Sequence, residues 1–328
     1  MRDEDYRQMA HRPLRRMDQI LTQDNLFRID LLQCSQAAAR MADCNWAVES
    51  TDAAGSRERA ILIRLAVAAI CHQFNWDFLT QSLTREIAAD DEPVAKLANV
   101  DARQLYAWLE AYPKKERIRA KERAALLRDL GNELQDRYLG RAENLILDAS
   151  KKLLGAKGLM RRLDDFEAFR QDPLRKKSNV FVHELVRERI ARFEDEEAID
   201  PAIDYHIMRI YLRTGRVVPK HRETLHILRS KQPTRPRLVK LLRQTVAEAV
   251  RSTAFYAALP VPDVNYIEWQ LGRGVCTVNE PSCESGTRFS DPVITTLSES
   301  RCPYAEFCAA LRDDRWLIAE PHYQGSFF

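Results

Sequence analysis

Apolar residues recur at helical spacing through most of this chain, and the pattern predicts a series of helices. Residues 14–47 read as a helical stretch or a helical pair, with Leu21, Leu26, Ile29, Leu32 and Ala37 on one face and an end near Trp46. From Arg57 to Ala69 the chain is apolar nearly all round, as in a helix inside the body. The aromatic turn Phe74-Asn-Trp-Asp-Phe-Leu79 leads into another helix. Its rings can plug a helix junction, or Trp76 and Asp77 can line a pocket against a flat substrate. Val100–Tyr112 and Arg117–Arg137 continue the pattern, with Asp101 placed to cap the first, and Arg141–Leu154, Ser178–Phe193 and Leu238–Ala257 follow. Neither an internal repeat nor a low-complexity tract interrupts the series.

Composition agrees with an all-α reading. Among 328 residues there are only 10 glycines and 8% aromatics, with Ala, Leu, Arg and Glu abundant. That length suffices for one large or two smaller domains, and the pattern suggests a helical N-terminal lobe over 1–135, a core over 136–222 and a C-terminal region over 223–328. A net charge of +3 permits a phosphate-bearing partner without demanding one. No stretch reaches the ~18 uninterrupted apolar residues of a membrane span. The best, Ala60 to Phe74, is short and contains Arg64, and the start, Met1-Arg-Asp-Glu-Asp, does not resemble a signal peptide, so a reducing cytoplasm is expected. The mixed-sign run from Pro113 to Arg123 reads as a solvated face, whereas the basic linker from Pro219 to Arg237 suits either a phosphate backbone or an exposed connector.

The candidate chemistry begins at the cysteines. Cys276, Cys283, Cys302 and Cys308 are spaced C-x6-C-x18-C-x5-C. Thiols so clustered in a reducing compartment suit metal ligation better than disulfides. Zinc remains one alternative; the lack of tight C-x2-C corners favours an iron-sulfur cubane.

The stretch Tyr266-Ile-Glu-Trp-Gln-Leu-Gly-Arg-Gly-Val-Cys276, then x6-Cys283 and Cys302-Pro-x4-Cys308, resembles the iron-sulfur loop of the endonuclease III and MutY class of helix-hairpin-helix DNA glycosylases, with an insertion from Glu284 to Arg301. The resemblance implies a two-lobed helical fold and a four-iron four-sulfur cluster on the four cysteines. A second stretch extends it. Asp172-Pro-Leu-Arg-Lys-Lys-Ser-Asn-Val-Phe-Val-His183 looks like the family's lysine-containing helix, and Ala202-Ile-Asp-Tyr-His-Ile-Met-Arg-Ile-Tyr-Leu-Arg-Thr-Gly215 is similar to its catalytic segment. Asp204 matches the catalytic aspartate, with His206, Arg209, Arg213 and Gly215 in register; Lys177, His183, Tyr205 and His206 are candidate pocket neighbours.

On physical grounds a carboxylate at a helix N-terminus is kept ionised by the free N–H groups and can face the positive charge that grows on a sugar as its N-glycosidic bond breaks. It can equally be a plain cap. The family's Leu-Pro-Gly-x-Gly hairpin has no counterpart here: the residues from Glu194 to Ile203 contain no glycine and open Glu-Asp-Glu-Glu. Its loss implies hydrolysis without lyase activity, since the lyase lysine sits in that hairpin. The shortened segment also loosely resembles queuosine-salvage N-glycosidases and the 8-oxoguanine-glycosylase-like proteins of bacterial anti-phage systems. The expected activity is cleavage of the base–sugar bond of a modified purine or deazapurine in a nucleic acid or nucleotide. A non-catalytic nucleotide- or nucleic-acid-binding scaffold is the alternative.

Overall fold

A computed structural model describes residues 26–41, 56–172, 174–230, 233–283, 289, 291–319 and 321. Helices dominate it, as the pattern predicts, and the only sheet among the described residues is a two-stranded ribbon. By its contacts the chain divides into two compact units: residues 26–41 belong with those from Asp200 onward, and residues 56–199 form the other. The unit that holds the late residues thus begins at Asp200 and takes in residues 26–41 as well. The ribbon and the first helix, which join the early residues to the late ones, give the physical reason.

The first unit opens with β1 (Phe27–Ile29) and α1 (Leu31–Ala39), whose first turn is capped by the Asp30 carboxylate accepting from Gln33 N–H at 3.1 Å. This corrects the expected helical stretch: Ile29 lies in an extended strand, and helix begins only after the Asp30 cap. Leu21 and Trp46 lie outside the described residues.

The second unit is built around α2 (Arg57–Ile70), capped by Ser56. Every residue from Ile61 to Ile70 is buried, as a helix apolar all round must be. Packed on it are α3 (Trp76–Ala88), α6 (Ala120–Tyr138), α7 (Ala142–Asp148) and α10 (Lys176–Arg187); α4 (Pro93–Asn99) and α5 (Ala102–Leu109) lie against α6, and two single-turn helices, α8 (Leu159–Arg162) and α9 (Glu167–Arg170), lead into α10. Asp101 caps α5 in a full capping box with Gln104. Where α4 crosses α6, a Cβ on Gly131 would come within 2.3 Å of the Ala98 nitrogen, so only glycine fits.

Several boundaries differ from expectation. Helix α7 stops at Asp148 and α10 at Arg187, short of Leu154 and Phe193. The charged run before α6 is solvent-exposed for most of its length, yet Arg123 is fully buried: its guanidinium donates to the carbonyls of Ile70, His72, Arg117 and Ile118, binding the C-terminal end of α2, where carbonyls lack helical partners. Between α10 and Asp204 the only helical element is the 3-10 turn Glu196–Ala198.

The first unit resumes with α11 (Tyr205–Arg213), β2 (Val217–Pro219) pairing antiparallel with β1, α12 (Arg222–Arg229), the long α13 (Pro236–Ala257), α14 (Val261–Gly274), α15 (Pro292–Leu297) and α16 (Ala309–Arg312). Helices α11, α13 and α14 pack on one another, and α1 packs on α13. Gly215, left-handed at φ 78°, follows the end of α11 and turns the chain into β2. No helix among the described residues is long and apolar enough to cross a membrane.

Candidate functional site

Asp204 takes an extended backbone and forms the N-cap of α11, with Oδ1 accepting from the Ile207 N–H at 3.0 Å. The residue is 5% exposed, and Oδ2 accepts no hydrogen bond among the described residues. Next to it Tyr205 and His206 are half-buried, with ring centroids 4.2 Å apart. Arg209 Nη2 lies 2.9 Å from His206 Nδ1. A guanidinium can only donate, so Nδ1 is the acceptor and a neutral ring carries its proton on Nε2. His206 packs tightly against α14: a Cβ on Gly272 would stand 2.9 Å from both the Cβ and the carbonyl oxygen of His206.

From Asp204 the helix runs directly to the cysteine loop. Arg209 donates to the carbonyls of Cys276 and Gly272, both at 2.7 Å. One turn on, Arg213 donates to the carbonyls of Thr277 at 2.6 Å, Val278 at 2.8 Å and Ile318 at 2.7 Å, and its Nη1 reaches Cys276 Sγ at 3.5 Å. Cys308 Sγ donates in turn to the Arg213 carbonyl at 3.4 Å, and Cys302 N–H donates to Cys283 O at 2.9 Å. Cys276 and Cys308 thus both meet Arg213 at the C-terminal turn of α11, and Cys283 and Cys302 are joined to each other through their backbones.

Burial pushes the Cys302 thiol well above its ordinary value; the Tyr304 backbone N–H opposes this, and the charges of Cys276, Cys283 and Cys308 add to it. Burial also raises Cys308, against the N–H groups of Leu311 and Ala310. Burial thus favours the neutral thiol at Cys302 and Cys308, and a metal ligated there would have to displace those protons. The donor set is the all-thiolate one that zinc and iron-sulfur clusters take. Among the described residues no three His, Cys, Asp or Glu side chains lie at the spacing of a single bound ion.

A second brace holds the loop from below. Arg216 forms a fork to both oxygens of Glu268, with Nη2 at 3.1 Å from Oε2, while Nε donates to Thr214 Oγ1. Tyr304, between Cys302 and Cys308, donates its hydroxyl to Glu268 at 3.1 Å, and the Arg216 guanidinium lies over the Tyr211 ring at 3.7 Å and the Tyr304 ring at 4.9 Å. Sequence reasoning missed this brace. Arg216 and Glu268 are 52 positions apart, and neither lies in a local pattern that marks it as buried.

The remaining candidates belong to the other unit. Lys177 is buried and its ammonium donates to Ala69 O at 2.7 Å, at the C-terminal end of α2; burial lowers its pKa. His183 is buried on α10. Trp76 begins α3 half-buried against the core and Asp77 beside it is exposed. The neighbouring rings close a helix junction: Phe74 stacks on Tyr112 with centroids 4.0 Å apart, and Phe78 lies 5.2 Å from the same ring. The structure thus brings Asp204, Tyr205, His206 and the four cysteines into one unit, and Lys177, His183, Trp76 and Asp77 into the other. No protein-family model matches the chain, and no curated protein is significantly similar to it.

Proposed function

We propose that this chain is an N-glycosidase that hydrolyses the base–sugar bond of a modified purine or deazapurine in a nucleic acid or nucleotide, within a two-lobed fold like that of DNA glycosylases. The observation that carries the reading is the split role of one carboxylate. Oδ1 of Asp204 is engaged by the Ile207 N–H at the positive end of α11, while Oδ2 has no hydrogen-bond partner among the described residues. As the bond from C1′ to the base nitrogen breaks, its electron pair leaves with the base and C1′ becomes cationic. Oδ2 stabilises that charge and accepts one proton from the attacking water, whose oxygen bonds to C1′; the base leaves with the electron pair as an anion and takes up a proton from solvent, while Oδ2 returns its proton to solvent, so that water supplies both the hydroxyl and the proton of the products.

Lyase chemistry is no part of the proposal. It needs an amine nucleophile on the second helix of a hairpin, and between α10 and Asp204 there is only one 3-10 turn. Cys276, Cys283, Cys302 and Cys308 would hold a four-iron four-sulfur cluster, or alternatively a zinc ion, which when bound supplies a rigid cross-link and, for iron, an electron store. Arg209 and Arg213 transmit the position of that loop to the helix that Asp204 opens.

One observation favours a second reading, a scaffold that kept the fold and lost turnover: Asp204 is 5% exposed and already performs a cap's work. The test is base release from a panel of modified nucleosides, nucleotides and DNA, comparing the wild-type chain with Asp204→Asn. Asparagine caps helices about as well as aspartate, so the variant keeps its stability while losing the charge. Release by the wild type alone supports the glycosidase, release by neither supports the scaffold, and equal release by both removes Asp204 from the chemistry.

A further inference from the structure

The first unit carries a strip of exposed cations that none of the proposed chemistry uses. It runs from Lys220, after β2, through Arg222 and Arg229 on α12, to Arg235, Arg237 and Lys240 around the first turn of α13. Helix α12 anchors itself through buried Thr224 and Leu228, which leaves Arg222 and Arg229 in solvent seven residues apart, about 10 Å along the helix axis. Arg222, Arg229, Arg235 and Lys240 form no ion pair among the described residues, whereas Arg57, Arg64, Arg137 and Arg251 each meet a carboxylate. The acids near the strip are few. Glu223 lies in the first turn of α12, and Asp313, which the Arg229 charge reaches, is held by Arg315 at 2.6 Å.

The start of α13 adds to the imbalance. This helix of 22 residues has no side-chain cap and no acidic residue in its first turn. Its free N–H groups and aligned dipoles make that end positive, and the arginines around it raise the potential further.

We propose that this strip binds the phosphodiester backbone of a nucleic acid, so that the base is presented to the Asp204 site as part of a polymer and not as a free nucleotide. The inference rests on the N-glycosidase reading for what happens to the base, and on the strip alone for binding. A mononucleotide offers charge enough for one or two of these side chains. Arg222, Arg229, Arg235 and Lys240, the four without an ion pair among the described residues, are spread over two successive helices and match a chain of phosphates, each contact releasing a counterion. The strip supplies the backbone grip that a helix-hairpin-helix would otherwise give.

The experiment uses the full chain and fluorescence anisotropy with labelled duplex DNA, single-stranded DNA and RNA of one sequence, and a labelled mononucleotide, across a range of salt. Two variants neutralise the strip from either end: Arg222→Gln with Arg229→Gln, and Arg235→Gln with Arg237→Gln and Lys240→Gln. All five side chains are exposed, and thermal melting checks that both variants fold. The expected result is polymer binding by the wild type, weakened roughly tenfold or more in each variant, with the log–log salt slope falling by about one per lost phosphate contact. Which polymer binds best identifies the natural class. Unchanged affinity and slope in both variants overturn the proposal, as does a wild type that binds only the mononucleotide. Polymer binding through the strip without base release would leave the strip standing and remove the glycosidase; base release from a free nucleoside with no polymer binding would do the reverse.

Discussion

Arg216 and Glu268 face each other in a bidentate ion pair from which solvent is wholly excluded, with both side chains 0% exposed. Two charges taken out of water are held only because each supplies the other's hydrogen bonds, with Thr214, Tyr304 and two aromatic faces completing the shell.

Replacing Glu268 by alanine should therefore destabilise the chain by about 3–5 kcal/mol, since it strands a buried guanidinium. Arg216→Met combined with Glu268→Leu should cost less than either single change. Tyr304→Phe, which removes one hydrogen bond and keeps the ring, should cost about 1 kcal/mol. Urea denaturation with unchanged m values would measure all of these, and a Glu268→Ala variant as stable as wild type would refute the first.

Gly272→Ala should destabilise by about 1–3 kcal/mol, through overpacking. The new methyl group would lie 2.9 Å from the backbone of His206, and backbone cannot step aside as a flexible side chain can. If the Asp204 reading holds, the same change should slow base release by moving the start of α11. Gly140→Ala, by contrast, meets no neighbouring atom and suffers only from its φ of 70°. A midpoint for Gly272→Ala equal to wild type would count against the close packing of α11 on α14.

A pH dependence is expected from Glu184 on α10. Burial pushes its carboxyl up to about 7, and the charge of its neighbour Glu188 adds to this, against Arg64 on α2 and Arg187 on α10. The folded state thus binds the proton more tightly than the unfolded state, whose value is near the ordinary 4.5. The resulting stabilisation is fully present below about 4.5 and is lost as pH rises towards 7. Glu184→Gln should remove that slope, so stability of the wild type minus that of the variant should decline with pH across this window. A difference that stays flat would overturn the assignment.

Arg213→Lys should loosen the cysteine loop while keeping the charge, because an ammonium cannot reproduce the guanidinium's simultaneous bonds to Thr277, Val278 and Ile318. Limited proteolysis should cut the variant faster between Cys276 and Cys308, and, on the proposal that the four cysteines hold a metal, iron or zinc recovered per chain should fall. Equal cleavage rates and equal metal content would show that the fork is dispensable.

Much of the helical order was legible because it follows local rules. The all-round apolar run of α2, the Asp101 capping box and the Asp204 cap are each written within a few neighbouring residues. What stayed hidden depends on distant partners. Ile29 fits a helical period, yet it is drawn into extended structure by pairing with Val217. Arg123 looks like one more charge in a solvated run, yet the open carbonyl end of α2 takes it inside. Lys177 and Asp204 were legible as residues of interest, whereas the bonds of Lys177 to Ala69 and of Arg213 to the cysteine loop were not, since hydrogen bonds across 108 and 63 positions leave no periodic trace.

The pairing of β1 with β2 also bears on how the molecule is made. Its first unit is discontinuous: one ribbon strand leaves the ribosome before residues 56–199 are synthesised and must wait for the other. The intervening stretch can complete its own core around α2 while that strand is still unmated, and domains tend to fold as units during synthesis. Translation order alone would thus assemble the inner segment first, leaving the Asp204 helix and the cysteine loop to form last.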